Sequence, residues 1–428
     1  MRFAEALAEL EARVPERMVP DLSRITALAE LLDDPQLTYP TIHVTGTNGK
    51  TTTSRLIAAL ACGHGLRAGL YTSPHLRSVT ERIAVCGEPI SESEFAEEYE
   101  RLLPYLELVD GRGERVTYFE TLTALSYVWF ADKPVDVGVF EVGMGGTWDA
   151  TNLVAGDVAV LCPVALDHPE LGSTVREVAT EKAGIIKPGK VVVAREQPVE
   201  ALEVIEARCA KTRARLLLEG RDFALVKRRQ AVGGQQISVR GTHAEYEEIV
   251  LPLFGEHAAR NAAAAVVALE ALLGRALSAE ATREALERAS SPGRAEIVGR
   301  HPLVILDGAH NPAGAAALAS TLREAFAWRR LHLVIGVSSN KDLAGIVREL
   351  APLADHGYAA RNANVRSSEP EAVAEALRAA GVATETFESV AWALDAARAA
   401  AGEEDLILVT GSLYTVADAR ATWGDSET

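Results

Sequence analysis

The sequence is poor in cysteine and in aromatic residues. It has 4 cysteines and 5% aromatic residues among 428 positions. The cysteines, at positions 62, 86, 162 and 209, include no CxxC pair and no histidine at zinc-finger spacing. This spacing predicts neither a zinc module nor a disulfide framework, and a reducing cytoplasm is the expected compartment.

Basic residues and long apolar runs are also scarce. The 43 Lys and Arg residues are outnumbered by 60 Asp and Glu residues, which gives a formal charge of −17. Nucleic-acid backbones and anionic membranes require clustered Lys and Arg, so neither partner is predicted. The most apolar runs, 158–166 and 262–269, are shorter than the roughly 20 residues that cross a bilayer. Residues 1–18 alternate apolar with charged side chains, which predicts an amphipathic helix rather than a signal peptide.

Short β-branched runs alternate with Ala-, Leu-, Glu- and Arg-rich stretches, a pattern typical of βαβ units with mostly parallel sheets. The first part of the chain has predicted strands at 42–45, 68–71, 136–142, 158–163 and 191–194, and predicted helices at 50–62, 119–130, 175–184 and 200–213. Residues 223–253 alternate polar with apolar side chains and predict a hairpin or small antiparallel patch.

Turn residues accumulate at positions 290–294 (SSPGR), and a new alternation of strands and helices begins after them. Further strands are predicted at 297–299, 304–307, 331–336, 357–360, 384–387 and 406–410. The sequence therefore predicts an α/β protein with two domains, residues 1–294 and 295–428.

The segment Ile42 to Thr52 (IHVTGTNGKTT) combines a strand, a Gly-rich turn and a Lys-Thr pair that opens a helix. Glycines let backbone N–H groups approach phosphate oxygens, Lys50 reaches terminal phosphates, and the Thr51 hydroxyl is a candidate Mg²⁺ ligand. Only the second half of the GxxxxGK[ST] pattern is present, because position 44 is valine. The pattern predicts a phosphate site, and the alternative is a Gly-rich turn with a solvated lysine.

Single polar residues follow other predicted strands, where open α/β sheets bind ligands. Glu141 is either a Mg²⁺ carboxylate or a cap on its own turn, and His168 is either a ligand or a structural histidine. Asp307 either accepts hydrogen bonds from a ribose or satisfies its own turn. Arg294 is either a phosphate clamp between domains or a solvated linker residue. Lys182 by itself predicts a surface position, because lysine is almost never buried unpaired.

Taken in order, these segments resemble the folylpolyglutamate synthase and dihydrofolate synthase family, a branch of the Mur-ligase superfamily. The matching segments are HVTGTNGK (43–50), YTSPHL (71–76), TYFE (117–120), EVGMGGTWDATN (141–152), EKAGIIK (181–187), DGAHNP (307–312) and TGSLY (410–414). YTSPHL together with EKAGIIK separates this branch from the peptidoglycan Mur ligases. The sequence departs from the family's usual residues at Thr51-Thr52, Thr147-Trp148 and Ala258.

The resemblance implies a Mur-ligase-like P-loop ATPase domain with a mostly parallel sheet, and a smaller Rossmann-like C-terminal α/β domain across an ATP-binding cleft. It implies a cytoplasmic, monomeric ligase that joins a pteroate or folate (poly)glutamate carboxylate to L-glutamate through an acyl phosphate, yielding ADP and phosphate. The alternatives are a peptidoglycan-type Mur ligase and a nucleotide-dependent switch ATPase that performs no ligation.

The family's functional residues carry over as follows. ATP would be bound by Gly46, Thr47, Asn48, Gly49, Lys50, Thr51, Asn261, Arg294 and Asp307. Two Mg²⁺ ions would be held by Thr51, Ser73, Glu141, His168 and a carbamylated Lys182, and the catalytic residues would be Lys50, His168 and Lys182. The substrate site would contain Thr117, Tyr118, Phe119, Glu120, Trp148, Asp149, Ala150 and His310, with a stretch near 21–24.

Overall fold

The structure is a computed structural model that describes residues 1–15 and 19–422. The first sheet has eight strands: β1 Thr41–Thr45, β2 Ala68–Tyr71, β3 Ile83–Val85, β4 Glu88–Pro89, β5 Val137–Glu141, β6 Val158–Leu161, β7 Val191–Ala194 and β8 Arg215–Leu218. Their order is β4-β3-β2-β5-β1-β6-β7-β8. Each of the six strands in the run β2-β5-β1-β6-β7-β8 is parallel to its neighbours in that run. The strand pairs β2–β3 and β3–β4, at one edge of the sheet, are antiparallel.

Nine helices accompany this sheet in the described part of the chain: α1 Phe3–Glu11, α2 Ser23–Leu31, α3 Lys50–Gly63, α4 Glu92–Asp110, α5 Tyr118–Asp132, α6 Val175–Lys182, α7 Val199–Thr212, α8 Glu256–Leu273 and α9 Ala279–Glu287. Strands β1, β5 and β6 are buried at every residue, because helices cover both faces of the sheet. One core contains α3 and α8, and the other contains α4 and α5.

The predicted strands of this region are all present, with small differences at their ends. Strand β6 ends at Leu161 rather than at residue 163, since Pro163 has no N–H to continue the ladder. The predicted antiparallel patch is a three-stranded sheet of β9 Ala224–Ala231, β10 Gly234–Arg240 and β11 Glu245–Leu251. The helix predicted over residues 1–18 corresponds to α1, which is shorter and ends at Glu11. Residues 16–18 of that prediction lie outside the described residues.

A second sheet follows the turn residues at 290–294. Its strands are β12 Glu296–Arg300, β13 Leu303–Leu306, β14 Leu331–Ile335, β15 His356–Ala360, β16 Thr384–Phe387 and β17 Leu406–Thr410, in the order β12-β13-β17-β14-β15-β16. Its helices are α10 Pro312–Ala325, α11 Leu343–Leu350, α12 Pro370–Ala379, α13 Val390–Ala400 and α14 Leu413–Thr422. Only β12 is antiparallel. The predicted strands of this region are therefore all present.

Two cysteines form a disulfide that the sequence analysis did not predict. Cys62 lies in the last turn of α3, and Cys86 lies in the turn between β3 and β4; their Cα atoms are 5.6 Å apart. The prediction of no disulfide was wrong because the tertiary fold, rather than the spacing, brings the pair together: β3 pairs antiparallel with β2 and returns the chain to the end of α3. Cys162 and Cys209 are buried free thiols.

No helix within residues 1–15 and 19–422 is both long and apolar enough to cross a bilayer.

Candidate active site at the cleft between the two sheets

A cavity of about 330 Å³ lies between the carboxyl ends of the strands of the two sheets. Open α/β sheets place ligands at this edge. Twelve of the residues predicted from the sequence line this cavity: Thr47, Asn48, Gly49, Lys50, Thr51, Ser73, Glu141, His168, Asn261, Arg294, Asp307 and His310. The fold therefore brings side chains separated by more than 250 positions to one place.

The Gly-rich loop connects β1 to the first residue of α3. A Cβ atom at Gly46 would lie 2.5 Å from the Cβ of Cys162, and Gly46 and Gly49 both have positive φ angles, 147° and 89°. Glycine is required at both positions. The Lys50 Nζ donates to the carbonyl oxygens of Gly46 and Thr47, at 2.9 and 3.3 Å. The loop thus holds a lysine beside a helix N-terminus, which is an arrangement that binds phosphate.

Glu141 lies at the end of β5 with 1% of its surface exposed. The Thr51 hydroxyl donates to Glu141 Oε1 at 2.7 Å, and the Ser73 N–H donates to Oε2 at 3.3 Å. Burial raises the pKa of Glu141, and the charge of Lys50 opposes this effect. A buried carboxylate beside a hydroxyl is a hard-oxygen donor set of the kind that Mg²⁺ prefers.

The described residues contain no group of three or more His, Cys, Asp and Glu side chains arranged around a common metal position. Mg²⁺ does not need such a group, since it usually keeps several waters and takes one or two carboxylates together with substrate phosphates. The oxygen atoms of Glu141 and Thr51 fit that mode of binding.

Lys182, the last residue of α6, is 3% exposed, so the surface position predicted from burial statistics is wrong. Its Nζ donates to the Gly46 carbonyl oxygen at 2.9 Å, which is the same oxygen that Lys50 contacts. Burial and the charge of Lys50 lower the pKa of Lys182 from 10.5 to about 7. The residues around Lys182 in the sequence do not reveal this burial, because its partner is a backbone carbonyl 136 positions away. Only the family resemblance placed Lys182 in the site.

Asp167 joins the two sides of the cleft. It accepts a hydrogen bond from Lys341 Nζ at 2.5 Å, and the Nε2 atoms of His168 and His310 both lie 3.5 Å from its Oδ2. Burial raises the pKa of Asp167, but the His310 hydrogen bond and the surrounding positive charges outweigh it and hold the pKa below its ordinary value. Burial lowers the pKa of His168 to about 4, so this imidazole is neutral near pH 7.

Asp307 is 8% exposed and faces the cavity from the end of β13. It accepts hydrogen bonds from the N–H groups of Ala295 and Ala309, both at 2.8 Å. Burial raises its pKa, and the charge of Arg294 opposes this. Asp307 does satisfy its own turn, as one alternative held, but each carboxylate oxygen has a second lone pair for a ligand.

Two family models match the chain: "Mur ligase middle domain" over residues 44–269 and "Mur ligase, glutamate ligase domain" over residues 293–413. A Mycobacterium tuberculosis dihydrofolate synthase/folylpolyglutamate synthase is 40% identical over 450 aligned positions, covering 97% of this chain and 92% of the relative. A Bacillus subtilis protein with the same description is 33% identical and covers 98% of both chains.

Solved structures agree with these matches. The M. tuberculosis folylpolyglutamate synthase complexed with ADP superposes with a TM-score of 0.96 at 38% identity, covering 100% of this chain and 99% of that chain. Escherichia coli FolC in complex with DHPP and ADP has a TM-score of 0.87 at 33% identity, covering 99% of this chain and 97% of that chain. The chain belongs to the folylpolyglutamate synthase and dihydrofolate synthase family.

The substrate residues that the family resemblance implied, apart from His310, form a separate cluster and do not line the 330 Å³ cavity. Thr117 and Glu120 form a capping box at the start of α5, where Thr117 Oγ1 accepts from Glu120 N and Glu120 accepts from Thr117 N. The Glu120 carboxylate is 5% exposed and pairs with Arg24 at 3.1 Å. These contacts hold the helix that carries Tyr118 and Phe119.

Two of the remaining residues in this cluster differ in exposure. Asp149 is buried and accepts hydrogen bonds from the N–H groups of Met144 and Thr151, at 2.9 and 3.0 Å. Trp148 is 52% exposed. In this family member the indole therefore faces solvent, whereas Asp149 and Ala150 are buried.

Several residues at the cleft were given no role by the sequence analysis. Asp167 and Lys341 form an ion pair across the cleft that was not predicted. Arg195 also lines the cavity, and Asn311 bonds to Asn48 of the phosphate loop. A polar residue at a strand end or helix start is the only local signal they carry, and many structural residues share it.

Proposed function

We propose that the protein is an ATP-dependent ligase that joins a pteroate or folate (poly)glutamate carboxylate to the amino group of L-glutamate. One observation carries the proposal. The phosphate loop with Lys50, Arg294 at the domain boundary and Asp307 of the second domain line a single cavity. That arrangement suits a nucleotide bound between the two domains, which we assign to residues 1–294 and 295–428; residues 423–428 lie outside the described part.

The reaction requires activation of the acid, because a carboxylate is a poor acyl donor. In the proposed mechanism the γ-phosphoryl group of ATP is transferred to the carboxylate, the glutamate amine attacks the acyl phosphate, and phosphate leaves. The chain contributes mainly position and positive charge. Lys50 and the N–H groups at the start of α3 neutralise phosphate oxygens, and Arg294 supplies a second cation from the boundary between the domains.

We assign the Mg²⁺ ligands to Glu141, Thr51 and Ser73, with His168 and a carbamylated Lys182. When bound, the metal would neutralise charge on phosphate oxygens. Carbamylation transforms Lys182 from a cation into an oxygen ligand: the neutral amine adds to the carbon of CO₂, forms a C–N bond and releases one proton. The pKa of about 7 supports this assignment, since about half of the side chain is then neutral amine at pH 7.

The folate-binding residues in the proposal are Thr117, Tyr118, Phe119, Glu120, Trp148, Asp149 and Ala150, and His310 faces the reacting groups from the C-terminal side. Exposure of Trp148 supports this assignment, because a half-exposed indole offers an aromatic face for stacking. We further propose a monomer in the cytoplasm, the compartment that supplies ATP, although disulfides such as Cys62–Cys86 are rare there.

The decisive experiment measures ADP release and product mass with each substrate omitted in turn. Incubation with ATP and glutamate plus either dihydropteroate or tetrahydrofolate should yield a product heavier by one or more glutamyl residues. ADP release should fall to background without the acid or without glutamate. Strong turnover that is independent of glutamate would instead identify a non-ligating ATPase.

A further inference from the structure

Arg195 follows β7 at the carboxyl edge of the first sheet and lies outside the short motifs that carry the family resemblance in the sequence. Its surface is 4% exposed, yet it contributes to the wall of the cavity. A buried guanidinium requires partners for its donors. Its Nε donates to Glu219 Oε2 at 2.9 Å, and one terminal nitrogen donates to Asn261 Oδ1.

The Asn261 carboxamide lies directly against the phosphate loop. Asn261 is 1% exposed on α8, and both its Oδ1 and its Nδ2 are 3.0 Å from the position that a Cβ atom would occupy on Gly49. Small rotations of this amide therefore change the space and the polar groups beside the loop.

A guanidinium has only donors, whereas a carboxamide has an acceptor at one end and donors at the other. Arg195 consequently fixes which end of Asn261 faces it, and the NH₂ group is directed away from Arg195. Glu219 holds the guanidinium in turn: burial raises the pKa of Glu219, but Arg195 and Arg260 outweigh it and keep the carboxylate ionised.

We propose that Arg195 is a positioning residue for the nucleotide, which sets ATP affinity by orienting the Asn261 carboxamide against the phosphate loop. The inference rests on the proposed function only in requiring that the cavity binds a nucleotide. It does not depend on which acid the enzyme ligates.

Arg260 provides a matched control. Its Nε donates to the other oxygen of the same Glu219 carboxylate at 2.7 Å, and its remaining ion pairs are with Glu196 and Glu256. Removing Arg260 therefore weakens the support of Glu219 while leaving the contact between Arg195 and Asn261 in place.

The test compares ADP binding, measured by calorimetry, in the wild type and in R195M, N261A, R195M/N261A and R260M, with thermal unfolding of each. We expect R195M and N261A each to weaken ADP binding about tenfold, which corresponds to about 1.4 kcal/mol. The double variant should bind ADP no more than about twofold more weakly than the weaker-binding single variant. Both substitutions remove the same contribution, the oriented Asn261 carboxamide. R260M should bind ADP within about twofold of the wild type.

Three outcomes would overturn the inference. R195M could bind ADP as tightly as the wild type, or the double variant could lose ADP affinity by the product of the two single losses. R260M could also lose as much ADP affinity as R195M. If R195M does not fold, R195K replaces it, since a single ammonium retains the pair with Glu219 and loses the contact with Asn261. Wild-type ADP affinity in R195K would contradict the proposal. A wild-type enzyme that binds ADP but forms no glutamyl product would refute the proposed function alone.

Discussion

Asn48 in the phosphate loop and Asn311 at the start of α10 exchange two hydrogen bonds across the cleft. Each side-chain NH₂ donates to the oxygen of the other, at 3.1 and 3.0 Å. Asn311 Oδ1 also accepts from the Gly314 N–H at 2.8 Å and so caps α10. One side chain thus ties the nucleotide loop of the first sheet to a helix of the second.

Substitution of these two residues should distinguish the contribution of the capping bond to stability from that of the bonds across the cleft. N48A loses only the exchange between the domains and should lower the free energy of unfolding by about 1 kcal/mol. N311A also loses the cap and should be less stable by about 1 kcal/mol more. Urea unfolding of both variants tests the difference, and equal stabilities would show that the cap contributes nothing.

Lys182 should bind CO₂ selectively. Mass spectrometry of the native enzyme, after trapping of carbamates at pH 8 with added bicarbonate, should locate one added CO₂ on this residue. Lys190, which pairs with Asp157 at the surface, is the control and should remain unmodified. K182A should lose most ligase activity and regain part of it with short carboxylic acids. Full activity in K182A would contradict a role in the site.

The lowered pKa of Lys182 also predicts how stability depends on pH. In CO₂-free buffer the unfolded side chain keeps its proton up to about pH 10.5, whereas the folded one releases it near pH 7. The unfolded state therefore binds more protons between these values, and the stability contribution of Lys182 rises with pH across this window. The free energy of unfolding of the wild type relative to K182M should increase from pH 7 to pH 9. A constant difference would show that folding does not lower the pKa of Lys182.

The Cys62–Cys86 disulfide should stabilise the fold, because it closes a loop between residues separated by 24 positions. Reduction, or the double substitution C62S/C86S, should lower the free energy of unfolding by about 3 kcal/mol. The double variant with and without reductant is the control and should unfold at the same denaturant concentration. An unchanged midpoint for the wild type in reductant would show that the pair is not oxidised in solution.

Two exposed tryptophans allow a matched test of the folate site. Trp148 lies in the proposed substrate cluster with 52% of its surface exposed, and Trp392 on α13 is 63% exposed. W148A should raise the KM for the folate substrate about five- to tenfold, since loss of one stacked aromatic ring costs about 1 kcal/mol. W392A should leave that KM unchanged. Equal effects of the two substitutions would remove Trp148 from the site.

Much of the fold was predictable because the sequence patterns that indicate strands, helices and the phosphate loop involve only neighbouring residues. Alternating apolar runs and helical stretches identify most of the strands, and the Gly-Lys-Thr turn after β1 identifies the phosphate loop. Strand-end position also singled out Glu141, His168 and Asp307, all of which line the cavity. These assignments need only the periodicity of neighbouring residues and the rule that parallel strands bind ligands at their carboxyl ends.

The class of the fold, the family and most of the order of strands follow from the amino-acid sequence alone. The contacts between distant groups do not: Lys182 is buried on the Gly46 carbonyl, Asp167 pairs with Lys341, and Cys62 reaches Cys86. These contacts join residues from 24 to 174 positions apart. They depend on strand order and domain packing, which the pattern of neighbouring residues does not specify.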